Sequence, residues 1–466
     1  MKHTPTISAE FEDYLKQNNM TLGQFAEYSG VHQRTLSNWI TQHRPVSVQQ
    51  LDRITLAMGL PEGYFYDLYI ENYIIERSPN MRRIEPLLYR CAELDKLDAI
   101  RRMVGAIMDK LLYSPRLFDI AEGLFAQGQH AAALLLYESV AEGEKYQHSE
   151  RLAVCQYRIF TIQIGDDQKR NLRAATRFES FVERLDEIVQ LDALKDLGNV
   201  CRSLREWDML DEIARSLENK AKIQYFKERP QKSTRLEQQK KPSRPLFAYL
   251  AFSQLLHASV CEAYGDYETA LRYTYAYADL SWVKEIDGET QDWKKRFQEW
   301  AQANIYAYKL LSGEVTVLPD YLSYASSHKN EVLPALINII EAANRYNINV
   351  DDILEQFELD IQSFLEQQKS VGVYTRQFVS ERFTHFLKEL ADYYFRKTAY
   401  RNGFKYLINS LEISSAINNK SCIIKCVKLF ERYRKEASSE TTISYQILID
   451  GVNEDEKKIT NNRSGH

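Results

Sequence analysis

The clearest pattern in the chain is a series of three short amphipathic helices between residues 20 and 60. The first helix follows Thr21, a favourable N-cap residue, and its apolar residues recur at helical spacing on one face. Gly30 marks a tight turn after this helix, and Val31 is an apolar residue predicted to pack beside the turn. A third helix ends near Leu60. The pattern therefore predicts two helices joined by a tight turn and supported by a third.

The second helix, from His32 to about Ile40, has one apolar and one polar face. Leu36 and Trp39 are predicted to lie in the core, so the polar residues between them point outward. A helix of this kind lies in the major groove of DNA in helix-turn-helix proteins, and its polar side chains reach the base edges. The residues predicted to contact DNA are Thr21, Gln33, Arg34, Ser37, Asn38 and Arg44.

Residues 7–70 resemble the lambda-repressor-like (Cro-type) family. The residues that carry the resemblance are Ala26, Gly30–Val31, Leu36, Trp39, Leu51, Ile54 and Met58–Gly59–Leu60. The resemblance implies that Gln33 and Arg34, at the start of the second helix, read the DNA sequence, with Ser37 and Asn38 behind them.

Charge favours DNA binding only weakly. Residues 14–60 hold four basic and two acidic residues, whereas the whole chain has a net charge of −5. Leu22 also stands where many family members carry a polar residue, which puts that phosphate or base contact in question. A single domain with few phosphate contacts binds DNA weakly, so we predict a dimer that doubles the contacts. The alternative interpretation is a helical bundle without a role in DNA binding.

From about Ile84 onward the sequence repeats a helix–turn–helix unit at irregular spacing. In the clearest copy, Tyr249–Leu280, the small residues Ala258 and Ala270 fall where two antiparallel helices approach, and Gly265 lies at the turn. This is the tetratricopeptide pattern. Such helix pairs stack into a right-handed superhelix with a concave groove. The predicted fold is therefore all-α, with a lambda-repressor-like helix-turn-helix domain followed by a tetratricopeptide-like right-handed superhelix.

The predicted organisation has four parts. They are a helix-turn-helix domain at 1–77, a linker at 78–83, a repeat domain at 84–437, and a C-terminal segment at 438–466 with a disordered tail from about 451. Further turns between paired helices are predicted near Asp95–Leu97, Gly128, Gly165, Gly313 and within Leu390–Ser410, with another copy around Gly198, Trp207 and Ala214. The region 315–385 fits the repeat template poorly. Residues 227–245 hold seven basic and two acidic residues and are predicted to form a solvated loop; contact of this loop with DNA is the alternative.

Composition and cysteine usage indicate the compartment. The chain has 466 residues, of which 44% are hydrophobic, and only 17 Gly and 11 Pro, which favours helices over a loop-rich or all-β design. It has no start that resembles a signal peptide, and we find no run of 18 apolar residues. Its six cysteines are scattered through apolar helical patterns, as is typical of reduced, buried thiols. We therefore expect a cytoplasmic protein without a membrane-spanning segment.

The sequence contains no motif for catalysis. It has no Gly-rich phosphate loop, no paired-cysteine zinc pattern and no His-Glu-x-x-His. Cys422 and Cys426 lie one helical turn apart, but no histidine close by in sequence completes a metal site, so packing is the favoured interpretation. We expect no enzymatic activity, no metal and no cofactor.

The two halves together resemble the peptide-pheromone-sensing regulators of Gram-positive bacteria, often written RRNPP, which include the phage arbitrium receptors. The resemblance implies quorum sensing: a short secreted and re-imported peptide binds inside the superhelix and changes the spacing of two DNA-reading heads in a homodimer. Asn side chains offer both a donor and an acceptor to the backbone of such a peptide. The predicted peptide-binding residues are Glu122, Phe125, Asn199, Arg202, Glu262, Asn304, Asp392 and Phe395.

Three functions are compatible with the sequence. The first is a transcription regulator gated by a short peptide. The second is a DNA-binding regulator whose repeats bind a protein partner or only dimerise, without a small ligand. The third is a scaffold that inhibits a protein partner and does not bind DNA. A groove lined with polar and aromatic side chains favours the first function, and a groove filled by the C-terminal helix favours the second.

Overall fold

The structure is a computed structural model that describes residues 6–75, 80–108, 111–147, 149–227, 241–366 and 373–461. Over these residues the protein is helical and contains no β-strand. The chain divides into two compact units, Met1–Ile162 and Gln163–His466, which we call unit 1 and unit 2.

Unit 1 begins with the helices of the predicted DNA-binding domain, which we call the head, and continues with the first helix pairs of the body. A π-helical segment, Glu71–Ile75, extends the last helix of the head. The α-helices of unit 1 are α1 (Ile7–Gln17), α2 (Leu22–Ser29), α3 (Gln33–Gln42), α4 (Val48–Ala57), α5 (Tyr66–Ile70), α6 (Met81–Glu93), α7 (Leu97–Met108), α8 (Ser114–Ala126), α9 (His130–Gly143) and α10 (Glu150–Gln163).

The head is built around three buried aromatic rings. Phe11 lies with its ring centroid 4.8 Å from that of Phe25 and 5.4 Å from that of Trp39, and all three side chains are fully buried. Capping boxes begin α2 at Thr21 and α4 at Ser47, and they satisfy backbone N–H groups that a helix leaves unpaired. The structure confirms the predicted helix-turn-helix, with the second helix at Gln33–Gln42 and the third at Val48–Ala57.

Unit 2 contains the longer helices of the body. They are α11 (Gln168–Glu179), α12 (Glu187–Leu204), α13 (Trp207–Phe226), α14 (Leu246–Ala263), α15 (Tyr267–Ala278), α16 (Gly288–Leu311), α17 (Leu318–Ser327), α18 (Val332–Tyr346), α19 (Asp351–Gln356), α20 (Glu358–Glu366), α21 (Val373–Arg396), α22 (Tyr400–Ala416), α23 (Lys420–Tyr433) and α24 (Ser439–Asn461).

The turns between paired helices lie where the sequence predicts them. Gly128 and Gly265 take positive φ values of 78° and 77° between α8 and α9 and between α14 and α15. Arg205 and Thr398 take positive φ values of 61° and 57° at two turns where the chain has no glycine. The helical-repeat body is therefore confirmed, and its right-handed superhelical form stays a prediction.

Helix α14 differs from the expectation that no stretch is apolar enough to cross a membrane. It meets that test by length and composition, with a mean hydropathy of 1.2 over 18 residues, but 72% of it is buried inside the protein. A helix that is apolar on all sides and packed against its neighbours is a core helix, which explains its composition.

The C-terminal segment also differs from the prediction. A disordered tail is expected from about residue 451, whereas α24 continues as a helix to Asn461. The ring of Tyr445 on this helix stacks on Phe430 of α23 at 3.7 Å, so the first part of α24 is packed rather than solvated. Residues 76–79 of the region around the predicted linker, 228–240 of the basic loop and 462–466 of the tail lie outside the described residues.

Candidate nucleic-acid interface and polar cluster

The polar face of α3 is open to solvent as the sequence predicts. Gln33 and Arg34 are exposed, and Ser37 and Asn38 are half-buried. The ring Nδ1 of His32 accepts a hydrogen bond of 3.1 Å from the backbone N–H of Arg34 and caps the helix. The two residues predicted to read bases therefore lie in the first turn of a capped helix, with their side chains outward.

Other predicted DNA-contacting residues lie at the ends of the two motif helices. A Cβ atom on Gly23 would lie 3.8 Å from Oε1 of Gln33, so the Gln33 side chain reaches the first turn of α2, which Thr21 caps. The start of α3 therefore lies beside the N-terminal turn of α2. Arg44 is exposed just beyond the other end of α3, where its backbone N–H donates to the carbonyl oxygen of Asn38 at 3.3 Å.

Residues 66–75, which the sequence places in the helix-turn-helix domain without a specific role, contact the buried side of α3, the recognition helix of the motif. The indole N–H of Trp39 donates to the hydroxyl of Tyr73 at 3.0 Å, and the Tyr69 hydroxyl donates to the carbonyl oxygen of Val46 at 2.6 Å. Tyr69 belongs to α5 and Tyr73 to the π-helix. The aromatic-rich sequence of residues 64–73 is the signal that marks this segment as core.

Comparison with known proteins identifies the head. A helix-turn-helix family matches residues 11–65. The N-terminal head is a Cro/lambda-repressor-like helix-turn-helix domain. The match indicates a DNA-binding regulator, whereas membership of the peptide-sensing regulators stays a prediction.

The remaining comparisons concern the whole chain. No curated protein matches it. One solved structure, described as a circular tandem repeat protein with novel repeat topology and enhanced subunit contact surfaces, aligns over 96% of this chain and 98% of its own at 11% identity. Its TM-score is 0.19, so this similarity carries no argument about fold or function.

Unit 2 holds a group of polar and charged side chains from five helices, which we call the polar cluster. Its members are Arg202, Glu262, Tyr277, Asn304, Tyr308 and Arg382. The Tyr308 hydroxyl donates to Glu262 at 3.2 Å, and the Asn304 amide donates to the Tyr277 hydroxyl at 2.7 Å. Three predicted peptide-binding residues, Arg202, Glu262 and Asn304, are therefore brought together.

Burial governs the charges in the polar cluster. It raises the pKa of Glu262, although Arg382 and Arg202 are near enough to oppose the shift. Burial also lowers the pKa of Arg382, and the neighbouring charge of Arg202 lowers it further. Burial raises the pKa of Tyr277 to about 12, so its hydroxyl stays neutral. The hydroxyl oxygen accepts the hydrogen bond from the Asn304 amide.

A second asparagine of the same kind lies in the region that fits the repeat template poorly. The amide of Asn338 on α18 donates to the hydroxyl of Tyr321 on α17 at 2.9 Å. Asn338 is half-buried, as Asn304 is. Sequence reasoning missed this residue because the template assigns no face to helices between 315 and 385.

The other predicted peptide-binding residues have different surroundings. In unit 1, Glu122 forms two hydrogen bonds of 2.9 Å with Arg158, whose guanidinium lies 4.6 Å from the centroid of the Phe125 ring. In unit 2, Asn199 is half-buried on α12, and Asp392 is buried and pairs with Arg396 at 3.0 Å.

The structure corrects the placement of Phe395. Its side chain is 2% exposed and packs against Phe404 and Tyr433, with centroid distances of 4.8 Å and 4.5 Å. The ring belongs to the C-terminal core rather than to a ligand-binding surface. Phe395 shares one buried cluster with residues of α22 and α23, a packing that the repeat template does not anticipate.

The two neighbouring cysteines are buried on α23. The Sγ atoms of Cys422 and Cys426 lie 4.0 Å apart, and the hydroxyl of Ser410 lies 3.3 Å from Cys426. Among the residues described, no group of three His, Cys, Asp or Glu side chains is arranged to hold a metal ion. This burial fits the prediction that the thiols are packing residues.

The raised pKa of Glu262 leads to a pH-dependent prediction. The folded state retains the carboxyl proton at pH values where the unfolded chain has released it, so stability falls as pH rises above the ordinary pKa of 4.5. Glu262→Gln keeps an acceptor for Tyr308 and removes this loss. We expect the variant to melt at a higher temperature than the wild type at about pH 8, with the gain shrinking toward about pH 4.

Thermal unfolding followed by circular dichroism at both pH values checks this expectation. The matched control is Glu268→Gln, which changes an exposed carboxylate on α15. A gain that is the same at both pH values would show that ionisation of Glu262 does not limit stability.

Proposed function

We propose that this protein is a cytoplasmic, non-enzymatic transcription regulator that binds double-stranded DNA as a homodimer and is gated by a short signalling peptide bound to its helical-repeat body. The head supplies the DNA-reading surface through the outward residues of α3. The body supplies the peptide site through the polar cluster and Asn338.

The observation that carries the peptide-binding proposal is the matched pair of asparagines on α16 and α18. Each donates one amide N–H to a tyrosine hydroxyl, at 2.7 Å for Asn304 and 2.9 Å for Asn338. This bond fixes the orientation of the amide plane in a half-buried position. A fixed amide presents a carbonyl oxygen and a second N–H, which are the groups that pair with the backbone of an extended peptide.

Alanine substitution of the asparagines tests this proposal directly. Full-length protein is incubated with a random hexapeptide library, and the retained peptides are quantified by mass spectrometry. We expect each of Asn304→Ala and Asn338→Ala to reduce retention by about fivefold, since a hydrogen bond contributes roughly 0.5–1.5 kcal/mol. The control is Asn330→Ala, which removes an exposed asparagine from the turn before α18.

Retention by the wild type that neither asparagine variant reduces would place the peptide elsewhere. If the wild type retains no peptide above the level of an unrelated helical protein, the body has another role. Addition of a retained peptide to a DNA-binding assay then tests gating, which requires that the peptide shift the Kd for DNA.

A second candidate function is a regulator whose body binds a protein partner or only dimerises, without a small ligand. One observation favours it. Phe226 at the end of α13 is 69% exposed and Ile286 before α16 is 87% exposed, and the ring of Tyr225 joins this surface to Trp282 with centroids 5.2 Å apart. A contiguous exposed apolar surface is typical of protein interfaces. Sedimentation of Phe226→Ser and Ile286→Ser variants distinguishes self-association at this surface from a free surface.

A further inference from the structure

The first helix pair of the body reaches the head through Arg90 on α6. Its guanidinium forms ion pairs with Asp52 on α4 at 3.3 Å and with Glu62 at 3.0 Å, both in the head. Tyr66 of α5 donates to the other oxygen of Asp52 at 2.6 Å. Arg90 and Asp52 are only 27% and 28% exposed, so this contact is partly shielded from solvent.

A second arginine makes a similar contact from the next helix. Arg102 on α7 pairs with Asp67 on α5 at 2.9 Å and with Glu71 on the π-helix at 2.7 Å. Each arginine therefore bridges two carboxylates of the head. A planar guanidinium that bonds two carboxylates fixes the orientation of the two helices as well as the distance between them, because its donors point in set directions. An ammonium group fixes only the distance.

The segment that the arginines hold is the one that supports the recognition helix. Glu71 and Tyr73 lie in the same π-helical segment, and Tyr73 accepts the hydrogen bond from the indole of Trp39. Asp52 lies on α4, the third helix of the motif. A continuous series of contacts thus runs from α6 and α7 to α3.

We propose that Arg90 and Arg102 are positioning residues for DNA reading, which hold the recognition helix in one orientation relative to α6 and α7. The Arg102 pairs are exposed and the Arg90 pairs keep partial contact with solvent, and ion pairs that water still reaches contribute only about 0–1 kcal/mol each to stability. We therefore expect the head to stay folded when these contacts are lost. Attachment at two separate places nevertheless prevents rotation of the head. A movement of α6 and α7 is therefore passed to the DNA-reading surface. This coupling requires neither a peptide nor a dimer.

The test measures orientation rather than stability. A spin-labelled amino acid is encoded at Tyr28, exposed on α2 of the head, and at Glu138, exposed on α9, in the full-length protein. Pulsed electron paramagnetic resonance gives the distribution of distances between the two labels. We expect a narrow distribution for the wild type and at least a twofold broader one for the double variant Arg90→Ala, Arg102→Ala, with the circular dichroism spectrum unchanged.

Arg116→Ala is the matched control, because Arg116 on α8 pairs with Glu85 on α6 at 2.6 Å within the body and does not join the head to it. Exchange of the charges, with Arg102→Glu, Asp67→Arg and Glu71→Arg combined, is expected to restore part of the narrow distribution lost in an Arg102→Ala variant. About 1 M salt is expected to broaden the wild-type distribution, because it screens exposed charges. A double variant as narrow as the wild type, or a wild type already broad, would overturn the proposal.

Discussion

Trp39→Ala is expected to unfold the helix-turn-helix head. The Trp39 side chain is fully buried, its ring stacks on Phe11 at 5.4 Å, and its N–H donates to Tyr73 at 3.0 Å. Truncation of a buried aromatic residue costs roughly 3–5 kcal/mol, which is a large part of the stability of a small domain. Hydrogen exchange on the full-length protein checks this: amides of α2, α3 and α4 should lose protection, and those of α14 in unit 2 should keep it.

Two controls separate the causes of this loss. Tyr73→Phe removes only the hydroxyl and is expected to cost about 1 kcal/mol, because the ring remains and one hydrogen bond is lost. Tyr28→Ala removes an aromatic side chain of the same domain that is 68% exposed, and it should leave protection unchanged. Retained protection of α3 in Trp39→Ala would show that the recognition helix does not depend on its aromatic core.

The head could be predicted from sequence because its signals are local. Thr21 and Gly30 bound α2, and Leu36 and Trp39 define the buried face of α3, all within 20 residues of one another. The hydrogen bond from Trp39 to Tyr73 was not predicted. Tyr73 lies 34 positions after Trp39, and the bond forms only because the tertiary fold brings the two side chains together. The same reason applies to the ion pairs of Arg90 and Arg102, which join residues 28–38 positions apart.

The body was predicted correctly in its helices and less well in its faces. Each turn length sets the rotation of the next helix, so a template with a fixed period misplaces residues when helix lengths vary. Helix α16 has 24 residues and α17 has 10, which explains why Asn338 on the following helix was missed. Phe395 was wrongly included among the groove residues. The template placed its side chain on the groove side of α21, whereas α22 and α23 cover it. Arg202, Glu262 and Asn304 were predicted one by one, whereas their proximity depends on tertiary packing.

If Arg34 reads bases, as the sequence predicts, its substitution has a large effect on the choice of DNA site. Its side chain is exposed in the first turn of α3, and no other arginine lies on that helix. An arginine that bonds a base edge in two places contributes roughly 1–3 kcal/mol of discrimination between bases. We therefore expect Arg34→Ala to lower selectivity for a site chosen by the wild type from random DNA by about 10- to 100-fold, measured as the ratio of Kd values for the chosen and a scrambled site.

Arg34→Lys decides whether the guanidinium reads bases or only neutralises phosphate. A lysine keeps the positive charge but lacks the planar guanidinium that can donate two hydrogen bonds to one base. If Arg34 reads bases, both variants lose selectivity. If Arg34 only contacts phosphate, the alanine variant alone is affected. Arg101→Ala is the control for net charge, because this exposed arginine lies on α7 outside the head and pairs with Asp98. Full selectivity in Arg34→Lys would assign the sequence reading to Gln33 and Asn38, whose amides can bond adenine from the same helix.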